Sequence, residues 1–298
     1  MRCSAAVSRR GTFETNIWPR RCTHCSLTWI DTEGDSSPAD VFFSQSPGAM
    51  GFLEGEGRLQ PLSGDVLALV PEPFRATEGD WVGVSGRARV IVYDATEIDD
   101  SEVPDSVFDL TAPEFRGRVG VAPTNGSFQD FVTIMRSMVG DDETLAWLRA
   151  LRENDVRTYE NNLAIRDAVE RGEVDFGLVN HYYNEQAKAE DPGVPTENHF
   201  LAGDDPGAAI LTTAVGVLDT AGSQSDEAER LVEFLLSRRA QEYFATETFE
   251  YPLAAGVEPA GDLPPLDSIA SPRIELSALG GGLARTRELI RDSGLESA

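Results

Sequence analysis

The sequence predicts an α/β fold, with strands alternating with amphipathic helices around a mixed or parallel sheet. Three observations carry this. Residues 81–93, from Trp81 to Tyr93, are rich in β-branched side chains and read as one or two strands. Residues 127–140 place Phe128, Phe131, Val132, Met135, Met138 and Val139 at helical spacing, the clearest helix in the chain. Residues 174–179 form an apolar run with a short helix beginning directly after it near Tyr182. With 298 residues, 41% of them hydrophobic, the chain can bury a core as one large domain or two ordinary ones.

The elements follow in order. Ala39-Asp40-Val41-Phe42-Phe43 is a short apolar strand, and residues 47–58 are helical with Met50 and Leu53 on one side. Val119-Gly120-Val121 is a strand ended by Pro123. Gly140 stops the helix over 127–140, and Asp141 caps the next, which carries Leu145, Leu148 and Leu151. A further helix runs over 162–172. Residues 209–217 form a strand, residues 225–246 one helix, and residues 283–293 a last helix. The proline-rich stretch over 252–272 is the loosest connection. No apolar run approaches the roughly 18 residues a spanning helix needs.

Charge divides the chain unevenly. There are 51 acidic against 25 basic residues, a net charge of −26, which argues against a nucleic-acid partner. Lys188 is the only lysine. An acid-rich, lysine-poor surface suits solvation at high salt, so a halophilic, haloarchaeal source is expected. Residues 1–30 are the exception: Arg2, Arg9, Arg10, Arg20 and Arg21 stand against Glu14 alone. This segment also holds Cys3, Cys22, Cys25 and His24. It shows no helical or strand period and no apolar signal core. Cys22-Thr23-His24-Cys25 is a single CxxC without a second ligand pair, short of a zinc site. Residues 1–36 therefore read as an atypical basic, disordered segment, consistent with a wrong start or shifted frame.

Three loops carry chemistry. Pro123-Thr124-Asn125-Gly126-Ser127 lies between a strand and a strong helix, where free backbone N–H groups either are capped or hold a small anion. Asn180-His181-Tyr182-Tyr183-Asn184 follows a buried strand, where ligands of α/β sheets bind. Its paired phenols are either packing aromatics or hard oxygen donors for a trivalent cation. Ser85-Gly86-Arg87-Ala88-Arg89 puts arginine into an apolar strand, calling for a salt bridge or a bound oxyanion.

Residues 37–298 resemble the ferric-iron-binding proteins of bacterial and archaeal ABC importers. The resemblance rests on blocks in order: Pro38-Ala39-Asp40-Val41-Phe42, Trp81-Val82-Gly83-Val84-Ser85-Gly86-Arg87, Pro123-Thr124-Asn125-Gly126, Asn180-His181-Tyr182-Tyr183, Asp205-Pro206-Gly207-Ala208 and Glu250-Tyr251-Pro252-Leu253. It implies the two-lobed type II periplasmic-binding-protein fold with its ligand between the lobes. Residues 37–87 and 212–263 would form the N-terminal lobe, and 88–211 and 264–298 the C-terminal lobe. Tyr182 and Tyr183 match the paired tyrosines that coordinate ferric iron. Asn125, Gly126, Ser127, Asn162 and Asn180 fall where members hold a synergistic anion, phosphate or carbonate, and Arg87 where some contact it.

The chain also departs from the family. The first strand and helix of the N-terminal lobe are replaced by the basic segment, and His24 does not match the iron-ligating histidine of some members. Gln45 stands where some place a ligating carboxylate, so it enters the metal set as a neutral ligand. Phe128 stands where some supply a third tyrosine. The implied function is capture of ferric iron and delivery to a membrane permease with its ATPase. The implied protein is monomeric, non-enzymatic, and extracytoplasmic on a membrane anchor. The alternatives are the same fold binding an anionic or polyamine solute, or a degraded paralogue with an incomplete site.

Overall fold

A computed structural model describes residues 5–8, 23–254, 256–269, 271–272, 279 and 282–297. In chain order the elements begin with β1 (Ala5–Ser8), α1 (Thr23–Glu33), β2 (Ala39–Ser44), α2 (Pro47–Gly55), β3 (Leu59–Gln60), α3 (Gly64–Leu67) and β4 (Trp81–Asp94). Then come β5 (Val119–Val121), α4 (Gly126–Val139), α5 (Asp141–Glu153), β6 (Arg157–Thr158), α6 (Asn162–Glu170), β7 (Phe176–Asn180), α7 (Tyr182–Glu190) and β8 (Thr196–Phe200). The chain continues through β9 (Ile210–Leu218), α8 (Ser225–Leu236), α9 (Arg238–Thr248), β10 (Tyr251–Pro252) and α10 (Gly282–Ser293). They fall into two compact units. Unit 1 takes the described residues within Met1–Gly86, Thr212–Glu258 and Glu275–Gly281, and unit 2 those within Arg87–Leu211, Pro259–Ile274 and Gly282–Ala298. Strands β4 and β9 each contribute residues to both units.

In unit 1 the pairings are antiparallel: β1 with β2, β2 and β3 with β9, and β10 with the start of β4. Phe42, Met50, Leu53, Trp81, Val215, Val232 and Tyr251 are among its buried side chains. Trp81 keeps its indole N–H satisfied on the Glu54 carboxylate at 3.2 Å. Two expectations change here. The helix expected over 225–246 is two helices, because Ser237 is extended (φ −63°, ψ 150°) and its Oγ accepts from the Ala240 N–H to cap α9. A serine competes with the helix for backbone groups, so it ends one and opens the next. The reading of residues 1–36 as without regular structure does not hold for β1 or α1. A four-residue strand such as β1 has too few positions to show a period, and its pairing with β2 comes from tertiary contact. Cys3 and Cys22 lie outside the described residues, as do the side chains of His24 and Cys25.

Unit 2 is built on a mixed sheet. β4 pairs antiparallel with β7 and with β8, while β5 runs parallel to both β6 and β7. Helix α4 buries Phe128, Phe131, Val132 and Met135. Phe128 stacks on Trp147 at 6.5 Å, and Phe131 meets it edge-on at 5.8 Å. Gly140 ends α4 at φ +86°, a conformation open to glycine at little cost. Asp141 is not the cap of α5, as expected, but its first helical residue. Its carboxylate accepts from Arg285 and Arg136, both at 2.8 Å, and these bonds hold its pKa below the ordinary carboxylate value.

Candidate functional site

The sequence-predicted anion residues and the tyrosine pair lie in unit 2; Gln45 lies in unit 1, just after β2, half-buried. The ladder between β4 and β7 sets the site's base. Its register puts Arg89 directly opposite Asn180. Residues two apart on a strand share a face, so Arg87 and Arg89 lie on one side of β4, both buried at 4% and 1% exposure.

Arg89 organises what surrounds it. Its Nη1 donates to Asn180 Oδ1 at 3.0 Å, Ser127 Oγ at 3.2 Å and Asn162 Oδ1 at 3.4 Å, and its Nη2 donates to the Leu178 carbonyl at 3.0 Å. All four partners are neutral. The guanidinium carbon also lies 5.8 Å and 5.5 Å from the ring centres of Phe128 and Phe131, a cation–π arrangement. Burial pulls its pKa down to about 9, with Arg87 acting in the same direction and Tyr183, Tyr182 and Asp130 opposing. Of the two partners expected for a strand arginine, a salt bridge or a bound oxyanion, Arg89 makes no salt bridge among the described residues; it faces amides and a hydroxyl there.

Above it sits the anion loop. Asn125 caps α4, its Oδ1 accepting from the Ser127 N–H at 3.0 Å and the Ser127 hydroxyl at 2.7 Å. Asn162, at the start of α6, donates from Nδ2 to Ser127 Oγ at 3.0 Å and Asn125 Oδ1 at 3.2 Å. Asn125, Ser127, Asn162 and Asn180 thus form one hydrogen-bonded cluster around Arg89. Apart from its two chain neighbours and the backbone of its own helix, a Cβ at Gly126 would meet no described atom within 4 Å. The space there is open, and no neighbouring side chain dictates a glycine.

Tyr182 and Tyr183 open α7 immediately after β7. Successive helical residues ordinarily point apart, yet these rings stack with centres 4.3 Å apart and an interplanar angle of 30°. Tyr182 is buried and Tyr183 half-buried. His181 and Asn184 are held by the neighbouring strands. His181 Nδ1 lies against the β4 backbone, 3.1 Å from the Ala88 N–H and 3.4 Å from the Ala88 carbonyl oxygen. Asn184 is locked against β8 by bonds to the Thr196 carbonyl at 2.9 Å and from its hydroxyl at 2.5 Å. Among the described residues no group of three or more His, Cys, Asp or Glu side chains is placed to hold a metal. The oxygen donors on offer here are phenols.

The residue that sequence reasoning left out of the site is Arg89. The period of β4 already placed it beside Arg87, but nothing in the sequence showed that Asn180 would lie across from it.

The chain is similar to ferric iron-binding proteins along most of its length. It is 33% identical over 275 residues to a major ferric iron-binding protein of Neisseria meningitidis, covering 90% of this chain and 81% of that one. Among solved structures it matches iron-bound HitA from Pseudomonas aeruginosa at 32% identity and TM-score 0.84, covering 91% of this chain and 88% of that chain. It also matches Trichodesmium IdiA (FutA) in complex with iron and citrate, at 28% identity and TM-score 0.81, covering 92% and 89%. These likenesses give the chain the two-lobed periplasmic-binding-protein fold. The profile of the bacterial extracellular solute-binding proteins matches residues 36–272, the stretch that carries strands β2 to β10, the anion loop and the tyrosine pair, and the chain belongs to that family.

Proposed function

We propose that the chain is the solute-binding component of an ABC iron importer and that its cargo is ferric iron. The observation that carries this is the stacked pair Tyr182–Tyr183 at the start of α7, in the same unit as a hydrogen-bonded cluster of amides and a hydroxyl around a buried cation. Two phenolates are hard, anionic oxygen donors matched to a hard trivalent ion. Relatives named for ferric iron support the same cargo. In this reading Gln45 adds a neutral ligand from the N-terminal lobe. Asn125, Gly126, Ser127, Asn162, Asn180 and Arg87 bind a synergistic oxyanion, phosphate or carbonate, that completes the oxygen coordination and offsets the charge. The lobes are 37–87 with 212–263, and 88–211 with 264–298. The protein works outside the cytoplasmic membrane, held by an anchor, and as a monomer hands iron to the permease and its ATPase. It binds its cargo without turnover, as the binding proteins it resembles are named to do.

The test is a visible spectrum of the purified protein in high salt after adding ferric citrate. A phenolate-to-iron charge-transfer band is expected, lost in the Tyr182→Phe/Tyr183→Phe double variant. A folded protein that gives no band overturns the iron reading and turns attention to an anionic or polyamine solute.

A further inference from the structure

The bonds around Arg89 have a direction. A guanidinium carries only donors. Every atom within hydrogen-bond reach of Nη1 must therefore be an acceptor, which orients both amides without ambiguity. Asn180 and Asn162 each turn Oδ1 toward Arg89. Ser127 Oγ accepts from Arg89 and from Asn162 and gives its own proton to Asn125 Oδ1. Asn125 Oδ1 in turn accepts from Asn162 Nδ2, the Ser127 N–H and the Ser127 hydroxyl. The side-chain acceptors of the cluster are thus engaged within it.

Donors remain. Asn180 Nδ2 is buried, with the residue 1% exposed, and has no hydrogen-bond partner among the described residues. A buried amide nitrogen left without an acceptor is costly, by about 1–3 kcal/mol, so this atom points to an acceptor that a ligand supplies.

We propose that Arg89 is a positioning residue that makes this cluster a receptor for oxyanions: by engaging the acceptor oxygens of Asn180, Asn162 and Ser127, it leaves only donors, foremost Asn180 Nδ2, to face the ligand. The inference rests on the anion half of the function proposed above and extends it to a residue that touches neither iron nor anion. It assigns the preference for an oxyanion over a cation or a neutral solute to the direction of the amides, set from beneath.

The experiment is calorimetric titration of the metal-free full chain with inorganic phosphate, with thermal melts and near-UV circular dichroism on the same samples. Asn180→Asp is isosteric and replaces the free donor with an acceptor, while its carboxylate faces a guanidinium that has no carboxylate partner among the described residues. Phosphate affinity is expected to fall by tenfold or more, on the order of a lost charge-assisted bond, with no loss of melting temperature. Arg89→Lys keeps the charge but not the fork. It is expected to weaken phosphate by about tenfold, because a single rotating ammonium lacks the planar fork that meets the Leu178 carbonyl from Nη2 while Nη1 meets the side-chain acceptors. A role in charge balance alone would leave affinity intact in Arg89→Lys and move only the melting temperature. The inference is overturned if either folded variant binds phosphate as tightly as the wild type, or if the wild type takes up none. The ferric citrate spectrum, read in parallel, separates the two ideas. A wild-type band together with unchanged phosphate binding in the variants removes this inference alone, and a missing wild-type band removes the iron reading alone.

Discussion

Arg89 and Asn180 show how a single cross-strand pair can set a site's polarity. They meet because β4 and β7 are antiparallel neighbours in one register, and slipping that register by one residue would turn every side chain to the other face. Gly177, three residues before Asn180 on β7, helps keep the strand close to its cover. A Cβ there would lie 2.5 Å from Ile165 Cγ2 and 2.9 Å from Val92 Cγ1, closer than packed atoms approach. Gly177→Ala is expected to destabilise the protein by about 1–3 kcal/mol through overpacking. The denaturant midpoint should fall with the slope unchanged, and an unchanged midpoint would show that α6 yields without cost.

The elements are held by local chemistry that also serves the site. Helix α4 starts where Asn125 accepts from the Ser127 N–H, and stops where Gly140 turns to positive φ. Its apolar stripe packs Phe128 and Phe131 on Trp147 of α5, which fixes where the loop ahead of it sits. Replacing Asn125 removes both a cap and a member of the cluster around Arg89. Asn125→Ala is expected to cost about 1 kcal/mol in a guanidinium melt, and Asn125→Asp, which keeps the capping oxygen, should recover that stability. Equal melts for the two variants would mean that the side-chain cap contributes nothing. Helices α8 and α9 teach the converse. An amphipathic pattern runs over 225–246 without a proline or glycine to interrupt it, and a single serine hydroxyl still divides it.

At the scale of the molecule the dominant quantity is the net charge of −26. Carboxylates this numerous repel one another in the folded state more than in the expanded one. Raising potassium chloride from about 0.1 M to about 1 M shortens the screening length from about 10 Å to about 3 Å. The thermal midpoint is expected to climb across this range, and chloride keeps the strong exclusion effect of sulfate out of the comparison. A flat midpoint would mean that the carboxylates are spaced beyond mutual reach.

Much of this was readable in the residues. The 3.6-residue spacing over 127–140 placed α4 within a residue at either end, and the β-branched run over 81–93 placed β4, because burial of one helical stripe or of a whole strand imposes its period on the sequence. The order of motif blocks carried the family. What the residues could not carry was pairing between distant segments: β1 beside β2, the division of α8 from α9, and Arg89 opposite Asn180. Periodicity records which face of an element is buried but not which element buries it. A hydrogen-bond direction depends on the partner's identity and position, so the polarity of the Asn125–Ser127–Asn162–Asn180 cluster exists only once the ladder brings a donor-only guanidinium beneath it.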